Sequence, residues 1–362
     1  MAIDWTKSMQ QTFEYFTVDP VTWKDRTPLR FVKSSTINRD SSADTLGSAD
    51  MEMDENIGEC YIRIYLVAKQ FSNILNRTEI ERIALGTYLI QTVPGGFDGR
   101  KTTTKVEAYT ALMELKENPV PIGYFISKDN NIVDTAYQLL DNNCRAIIVK
   151  GSSDKKIYDD YIADTSDTWL TYIKDLLANA QYHLDIDGYG RVLMVPDQEI
   201  SSLQPVYTFN DDNSSILKPD ITWDYDLYGI PNVVEVIYSK DGDYLYSKVT
   251  NDNPNSITST INRGRIITNR VVDPDLSGSP DQKQIDEYAS KLLESLSSIQ
   301  YSVTYTHGYC PVRVGDCVRL NYTRAGLKNI KAKVVSQSIA CSSGCLVTET
   351  AVYSKNVWKE TI

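Results

Sequence analysis

Apolar and polar residues alternate with a period of two through Cys60–Ala68 (CYIRIYLVA). Cys60, Ile62, Ile64 and Leu66 fall on one face, and Tyr61, Arg63, Tyr65 and Val67 on the other. That alternation predicts a half-buried strand. A second β-rich run, TTTKVEAYTAL, covers Thr102–Leu112, and the Gly-rich VPGGFDGRK before it predicts a hairpin connection. Residues 38–57 are rich in Ser and Asp and read as a long loop or weak strands.

The period changes between Asn118 and Val195. VDTAYQLLDNN (133–143) has helical spacing at Val133, Ala136 and Leu140. In DTWLTYIKDLLANAQY (167–182), Trp169, Leu170, Ile173, Leu176, Leu177 and Ala180 share one helix face, with Ser166 or Asp167 as the expected N-cap. HLDIDGYGRVLMV then predicts two short strands turning on DGYG, so this segment reads as a small α+β insertion. From Val233 onward β-runs return: VVEVIYS, YLYSKVT, RIITNRVV and four strands after Ile299. One helix interrupts them, with Ile285, Tyr288, Ala289, Leu292, Leu293 and Leu296 on one face. Ser279, Pro280 and Gln282 are its expected cap, first turn and capping-box partner. Asp241–Asp243 is expected to turn the hairpin between VVEVIYS and YLYSKVT.

Composition narrows the function classes. The 362 residues suggest two or three domains. With 41% hydrophobic and 23% charged residues, the chain is not a disordered or collagenous one. Tyr outnumbers the other aromatics, 24 against 7 Phe and 5 Trp, which favours β-structure with large, partly wet surfaces. A net charge of −11 argues against holding nucleic acid through the overall field. No apolar run is long enough for a membrane span. The start, MAIDWTKSMQQTFEYF, lacks the apolar core of a signal peptide, so synthesis and assembly in a cytosol are expected.

The chain is poor in catalytic signatures. It has two His, His183 and His307, neither in a metal motif, and no nucleophile elbow or phosphate-binding loop. Asp185-x-Asp187-Gly188 begins like a calcium loop, but the twelfth position is Pro196, so a hairpin turn is the better reading. Neither cofactor nor metal is expected. Cys310, Cys317, Cys341 and Cys345 fit three readings: unrelated thiols, a Cys341–Cys345 disulfide across the CSSGC turn, or a zinc site for which only the second spacing is suitable. Arg319, Arg324, Lys328, Lys331 and Lys333 concentrate positive charge in an acidic chain. They read as a solvated loop or as a contact with an acidic neighbouring subunit.

Three stretches, Ile80–Asn118, Thr168–Gln198 and Val312–Ser354, together resemble the baseplate hub proteins of bacteriophage tails, the family of the central hub of contractile tails. The patterns that carry the likeness are LGTYLIQTV…VEAYTALMELKE and GDCVRLNY…KAKVVSQSIACSSGCLVTETAVY. Neither is a catalytic motif.

The resemblance implies a mainly β (α+β) chain built from two tube-protein-like antiparallel β-barrel domains. Residues 1–118, completed by 200–232, would form the first barrel, 119–199 the small α+β domain, and 233–362 the second barrel with a helix at about 280–298 packed on it. It also implies a homotrimer that adapts a six-fold tail tube to a three-fold spike and lines a channel whose negative charge lets DNA pass. The implied partners are a tail tube or tube-initiator protein, the central spike, baseplate wedge proteins and the tape-measure protein, all in the virion tail baseplate. Because the sequence stops at Ile362, just after the last barrel-like strand, no fused peptidase or lysozyme domain is expected. The rival readings are a receptor- or glycan-binding tail-tip module and, more remotely, a cell-wall hydrolase using paired carboxylates.

Overall fold

The computed structural model describes residues 3–356 apart from 56, 73–74, 93–94, 98, 101, 240–243 and 275–280. The expected turn at Asp241–Asp243, and Ser279 and Pro280 of the expected cap, lie outside the described residues. The chain is mainly β, with antiparallel sheets and few helices. It divides into two units, Met1–Ile221 with Thr304–Ala351, and Thr222–Val303 with Val352–Ile362. No helix among the described residues is long and apolar enough to cross a membrane.

Eight strands open the chain: β1 (Gln10–Val18), β2 (Asp25–Leu29), β3 (Val32–Asp40), β4 (Gly47–Met53), β5 (Tyr61–Ser72), β6 (Arg77–Thr92), β7 (Gly95–Phe97) and β8 (Thr102–Tyr109). Their hydrogen-bonded order is β3-β4-β8-β6-β5-β1-β2, with β7 on β8. The Ser/Asp-rich stretch 38–57 therefore contributes ladder strands, with Thr36 opposite Asp50 and Ile37 opposite Ala49. The β-rich run expected over Thr102–Leu112 is shorter in the structure: β8 ends at Tyr109, and Leu112 already begins a helix.

The alternation of β5 is real, but both of its faces are covered. Ile62, Ile64 and Leu66 pack with Ile37, Met51, Met53, Leu85, Ile90 and Val106 in one cluster. Fully burying each such aliphatic side chain contributes about 1.5–3 kcal/mol. The opposite face is buried as well: Tyr61, Arg63 and Tyr65 are each less than 5% exposed. The expectation of a half-buried strand fails because a distant segment lies over that face.

The covering segment comprises α1 (Leu112–Glu117), β9 (Phe125–Ile126), α2 (Ile132–Asn143), β10 (Ile148–Val149), β11 (Tyr161–Ile162), α3 (Trp169–Ala178), β12 (Tyr182–Ile186) and β13 (Val192–Pro196). β12 and β13 are antiparallel, and β10 joins β13 in parallel. The apolar face of α3 is the one the spacing predicts, and Trp169, Leu170, Ile173, Leu176, Leu177 and Ala180 all enter the segment's core. Its N-cap is Thr168, one residue beyond the expected pair. Thr168 Oγ1 accepts from Thr171 N, and Thr171 Oγ1 accepts from Thr168 N.

The DGYG turn between β12 and β13 docks on β5 and β6. Arg63 donates through Nε to Thr87 Oγ1 (2.8 Å), through Nη1 to Asp25 Oδ1 (2.8 Å) and through Nη2 to the carbonyls of Trp23 (3.2 Å) and Tyr189 (3.0 Å). Trp23 Nε1 also donates to the Tyr189 carbonyl at 2.8 Å. The approach is so close that a Cβ on Gly188 would stand 1.9 Å from the Ala84 carbonyl oxygen. Only glycine fits there. Asp187 is occupied within the turn, where its carboxylate accepts from Tyr189 N, Arg191 N and Arg191 Nε.

The remaining strands are β14 (Tyr207–Asn210), β15 (Leu217–Tyr225), β16 (Val233–Tyr238), β17 (Leu245–Thr250), β18 (Thr268–Val272), β19 (Ser298–Gly308), β20 (Cys317–Tyr322), β21 (Leu327–Ala340) and β22 (Leu346–Asn356). Helices α4 (Thr260–Arg263) and α5 (Gln282–Leu296) fall among them. The first sheet continues past β3 into β21, with Ile37 opposite Ile339, and then through β22 and β19 to β15. β20 pairs antiparallel with β21 and parallel with β14.

In the second unit, β16 lies between antiparallel β17 and parallel β18. Ile285, Ala289 and Leu293 of α5 pack against Val234, Val236 and Tyr238. The start of α5 is displaced from the expected one. Asp281 is the N-cap, accepting from Gln284 N at 2.8 Å, and Gln284 Oε1 accepts from Asp281 N at 2.9 Å. Gln284 therefore closes the capping box in place of Gln282.

Candidate assembly surfaces

The five sequence-singled cations all sit on the β20–β21 hairpin. The pairing places Arg319 directly opposite Lys331, and Cys317 opposite Lys333. Arg324 lies in a single 3-10 turn, Thr323–Ala325, that joins the two strands, and Lys328 follows it, exposed. The apolar register explains the shared face: Val318, Leu320, Ala332 and Val334 are buried on one side, and Arg319, Lys331 and Lys333 share the other, where each is half-buried.

Like charges directly opposed on a sheet repel by a few tenths to about 1 kcal/mol. Among the described residues none of the five forms an ion pair. Lys331 Nζ donates only to the carbonyls of Ser201 (3.4 Å) and Leu203 (3.1 Å). The buried Nε of Arg319 has no hydrogen-bond partner. The hairpin thus carries uncompensated positive charge.

A cleft of about 760 Å³ in the first unit gathers more ionisable groups, with Arg39, Lys174, His183, Asp185, Asp197 and Arg313 among its walls. Most of them already have partners. His183 Nδ1 lies 2.6 Å from Asp197 Oδ1, and Arg313 Nη2 is 3.3 Å from Asp185 Oδ2. Lys174 Nζ donates to the Asp44 carbonyl at 2.8 Å, and burial lowers its pKa. Asp316 Oδ2 accepts from Arg313 N at 2.8 Å, while burial raises its carboxyl above the ordinary aspartate value. The hydroxyls of Thr87 and Thr110 bond to Arg63 and to the Thr45 carbonyl, not to a base. Among the described residues no group of three or more His, Cys, Asp or Glu is placed to hold a metal ion.

Sequence reading missed a buried polar chain. Glu349 and His307 are both fully buried. Tyr305 donates its hydroxyl proton to Glu349 Oε2 at 2.8 Å, and Gln337 Nε2 donates to Glu349 Oε1 and, at 2.8 Å, to the Val312 carbonyl. Gln337 Oε1 accepts from Arg39 Nη1 at 2.8 Å. His307 Nδ1 lies 2.7 Å from the Gly308 carbonyl, which requires its proton. Nε2 stands 3.3 Å from Glu349 Oε1, not aligned as a hydrogen bond. Burial and the Glu349 carboxylate raise the Tyr305 phenol well above its ordinary pKa. The sequence signal was a glutamate on the inward face of VTETA, between Val347 and Ala351.

Cys341 and Cys345 are free thiols in the structure, both buried in the first unit's core. Cys345 takes a left-handed backbone (φ 34°) after Gly344. Burial pushes the Cys341 thiol up to about 11 and raises that of Cys345 further. Cys144 rises to about 12, also through burial. Cys60 is the half-exposed member of the six. At pH 8 without reductant, a folded sample is expected to alkylate at Cys60 well ahead of the other five, because thiolate fraction and access both limit the reaction. Mass spectrometry after unfolding then counts six reactive thiols; a count of four identifies a disulfide that forms in solution.

These surfaces belong to a fold shared with tail proteins of bacteriophages. The chain is similar to a tail protein from Neisseria meningitidis MC58, with a TM-score of 0.59 at 12% identity over 96% of this chain and 98% of that one. It is equally similar to the 43 kDa tail protein of prophage MuSo2 from Shewanella oneidensis, with a TM-score of 0.59 at 12% identity over 94% and 97% of the two chains. A third match, at TM-score 0.50 and 9% identity over 92% and 77%, is an Escherichia coli type VI secretion component described as structurally similar to the phage T4 tail proteins gp27 and gp5. No protein-family model matches the chain, and no curated protein matches it in sequence.

Proposed function

We propose that this protein is a structural component of a phage-type tail: a homotrimeric baseplate hub that adapts a six-fold tube to a three-fold spike and performs no catalysis. The observation that carries the reading is the near end-to-end fold match to two tail proteins, over 94–96% of this chain. The surface chemistry agrees with it. The ionisable groups of the cleft mostly have partners within the chain, and the uncompensated charge lies on the β20–β21 hairpin, where it suits a protein neighbour. The net charge of −11 suits a channel that DNA passes without being held. In this reading residues 1–118, completed by 200–232, and residues 233–362 supply two tube-like barrels, so that three chains present six similar units to the tube above.

The axial partners are then the tube or its initiator, the central spike and the tape-measure protein, with wedge proteins around the rim. A cryo-EM map of the intact tail tests the proposal. Three copies on the tail axis, between tube and spike, are the expected result. A peripheral position, or a copy number other than three, overturns it.

A further inference from the structure

We infer that the basic β20–β21 hairpin of one chain docks on strand β15 of a second copy, head to tail. The inference rests on the hub reading for the existence of a multi-copy ring, and it names the two surfaces that neighbouring copies share.

β15 ends the strand order, with β19 as its neighbour on one side. Most of its residues are exposed on both faces. An open edge of this length is a pairing hazard that proteins ordinarily cover or blunt. Pro219 removes a backbone donor, so a partner is held through side chains more than through a continued ladder.

Period-two geometry puts Asp220 and Asp224 on one face and Trp223 and Tyr225 on the other; Asp226 follows directly. Among the described residues none of these three carboxylates forms an ion pair. Trp223 is 56% exposed and Tyr225 43%. Tyr225 is held in place by Tyr301 at 5.1 Å, which stacks on Tyr353 at 5.2 Å. An aromatic ring already fixed in position loses little entropy on contact, which is why such rings anchor interfaces.

The hairpin is the complement. Arg319 and Lys331 face each other without a counter-charge, and a carboxylate between them converts repulsion into two attractive contacts. The Arg319 Nε is buried without a partner, so the fork the guanidinium offers a carboxylate is its terminal nitrogens, which form no ion pair among the described residues. A second copy brings the β15 carboxylates to the hairpin in fixed stoichiometry. Because the two patches differ, the contact is heterologous, and it repeats from copy to copy until a ring closes.

Sedimentation of the full chain at low and high salt tests this. Arg319→Glu with Lys331→Glu, and separately Asp220→Lys with Asp224→Lys, are each expected to weaken self-association by at least about tenfold. Added salt weakens the wild type in the same direction. Combining all four substitutions reverses both patches and is expected to restore self-association. Circular dichroism monitors folding, and Arg319→Gln with Lys331→Gln serves as the milder pair should the reversal unfold the chain.

If the Asp220/Asp224 pair leaves association intact while the Arg319/Lys331 pair weakens it, β15 is not the occupant; the inference is overturned and the hub reading stands. Unchanged association in both variants overturns it too. Loss of binding to a short DNA duplex in the Arg319/Lys331 variant, with association unchanged, overturns it in favour of a nucleic-acid contact. The copy number and axial position in the tail map judge the hub reading separately.

Discussion

Replacing Arg63 by Ala is expected to destabilise the first unit by about 3–5 kcal/mol, the range for removing one partner of a buried ion pair. The side chain is 4% exposed and serves Thr87, Asp25 and the Trp23 and Tyr189 carbonyls at once. Its removal leaves the Trp23 carbonyl without its donor, the Tyr189 carbonyl with Trp23 Nε1 alone, and Asp25 without its nearest cation at 2.8 Å. It also loosens the DGYG turn on the sheet. Two readouts follow: a lower denaturant midpoint, and faster proteolytic cleavage between Asp187 and Arg191. Arg63→Lys keeps the charge but not the fork, so it is expected to recover only part of the loss. An unfolding free energy within about 1 kcal/mol of wild type contradicts this account.

Glu349→Ala is the second large effect, also about 3–5 kcal/mol. The carboxylate is the common acceptor for Tyr305 and Gln337 and stands 3.3 Å from His307 Nε2. All four side chains are nearly or fully buried, so no water replaces it. Glu349→Gln retains an acceptor oxygen for Tyr305 but loses the charge facing His307, and an intermediate loss is expected. Urea unfolding of the three proteins ranks them wild type, Gln, Ala. If the Ala variant is as stable as the Gln variant, the hydrogen bonds to Glu349 contribute nothing and the network is only a packing feature.

Three of the helices, α2, α3 and α5, were legible because their signals are local. Spacing alone placed Ile285, Ala289 and Leu293 of α5 inward, and the same holds for the core face of α3. Caps were read one or two residues off, at Thr168 and Asp281, since Ser, Thr and Asp crowd both sites and any of them can accept from the first turn. The mainly β class was likewise plain in the period-two runs. What covers a strand was not. Arg63 and Tyr65 have the pattern of a solvent face, yet Trp23, Asp25 and Arg82 from neighbouring strands and loops, with Tyr189 returning from far along the chain, bury them. The basic hairpin was visible as composition; that Arg319 faces Lys331 depends on register, which no single strand encodes. Glu349 was hidden among many acidic residues, because its burial follows from strand pairing and not from its neighbours.

The pairing of β3 with β21 has a consequence for synthesis. β3 ends at Asp40, and its second neighbour begins at Leu327. At ~5–20 residues per second a ribosome needs roughly 15–60 s to bridge that gap. Throughout this interval the growing chain holds a naked strand margin beside an unfinished core. Slow closure of so distant a contact makes chaperone supply and culture temperature, more than the stability of the finished protein, the determinants of soluble yield.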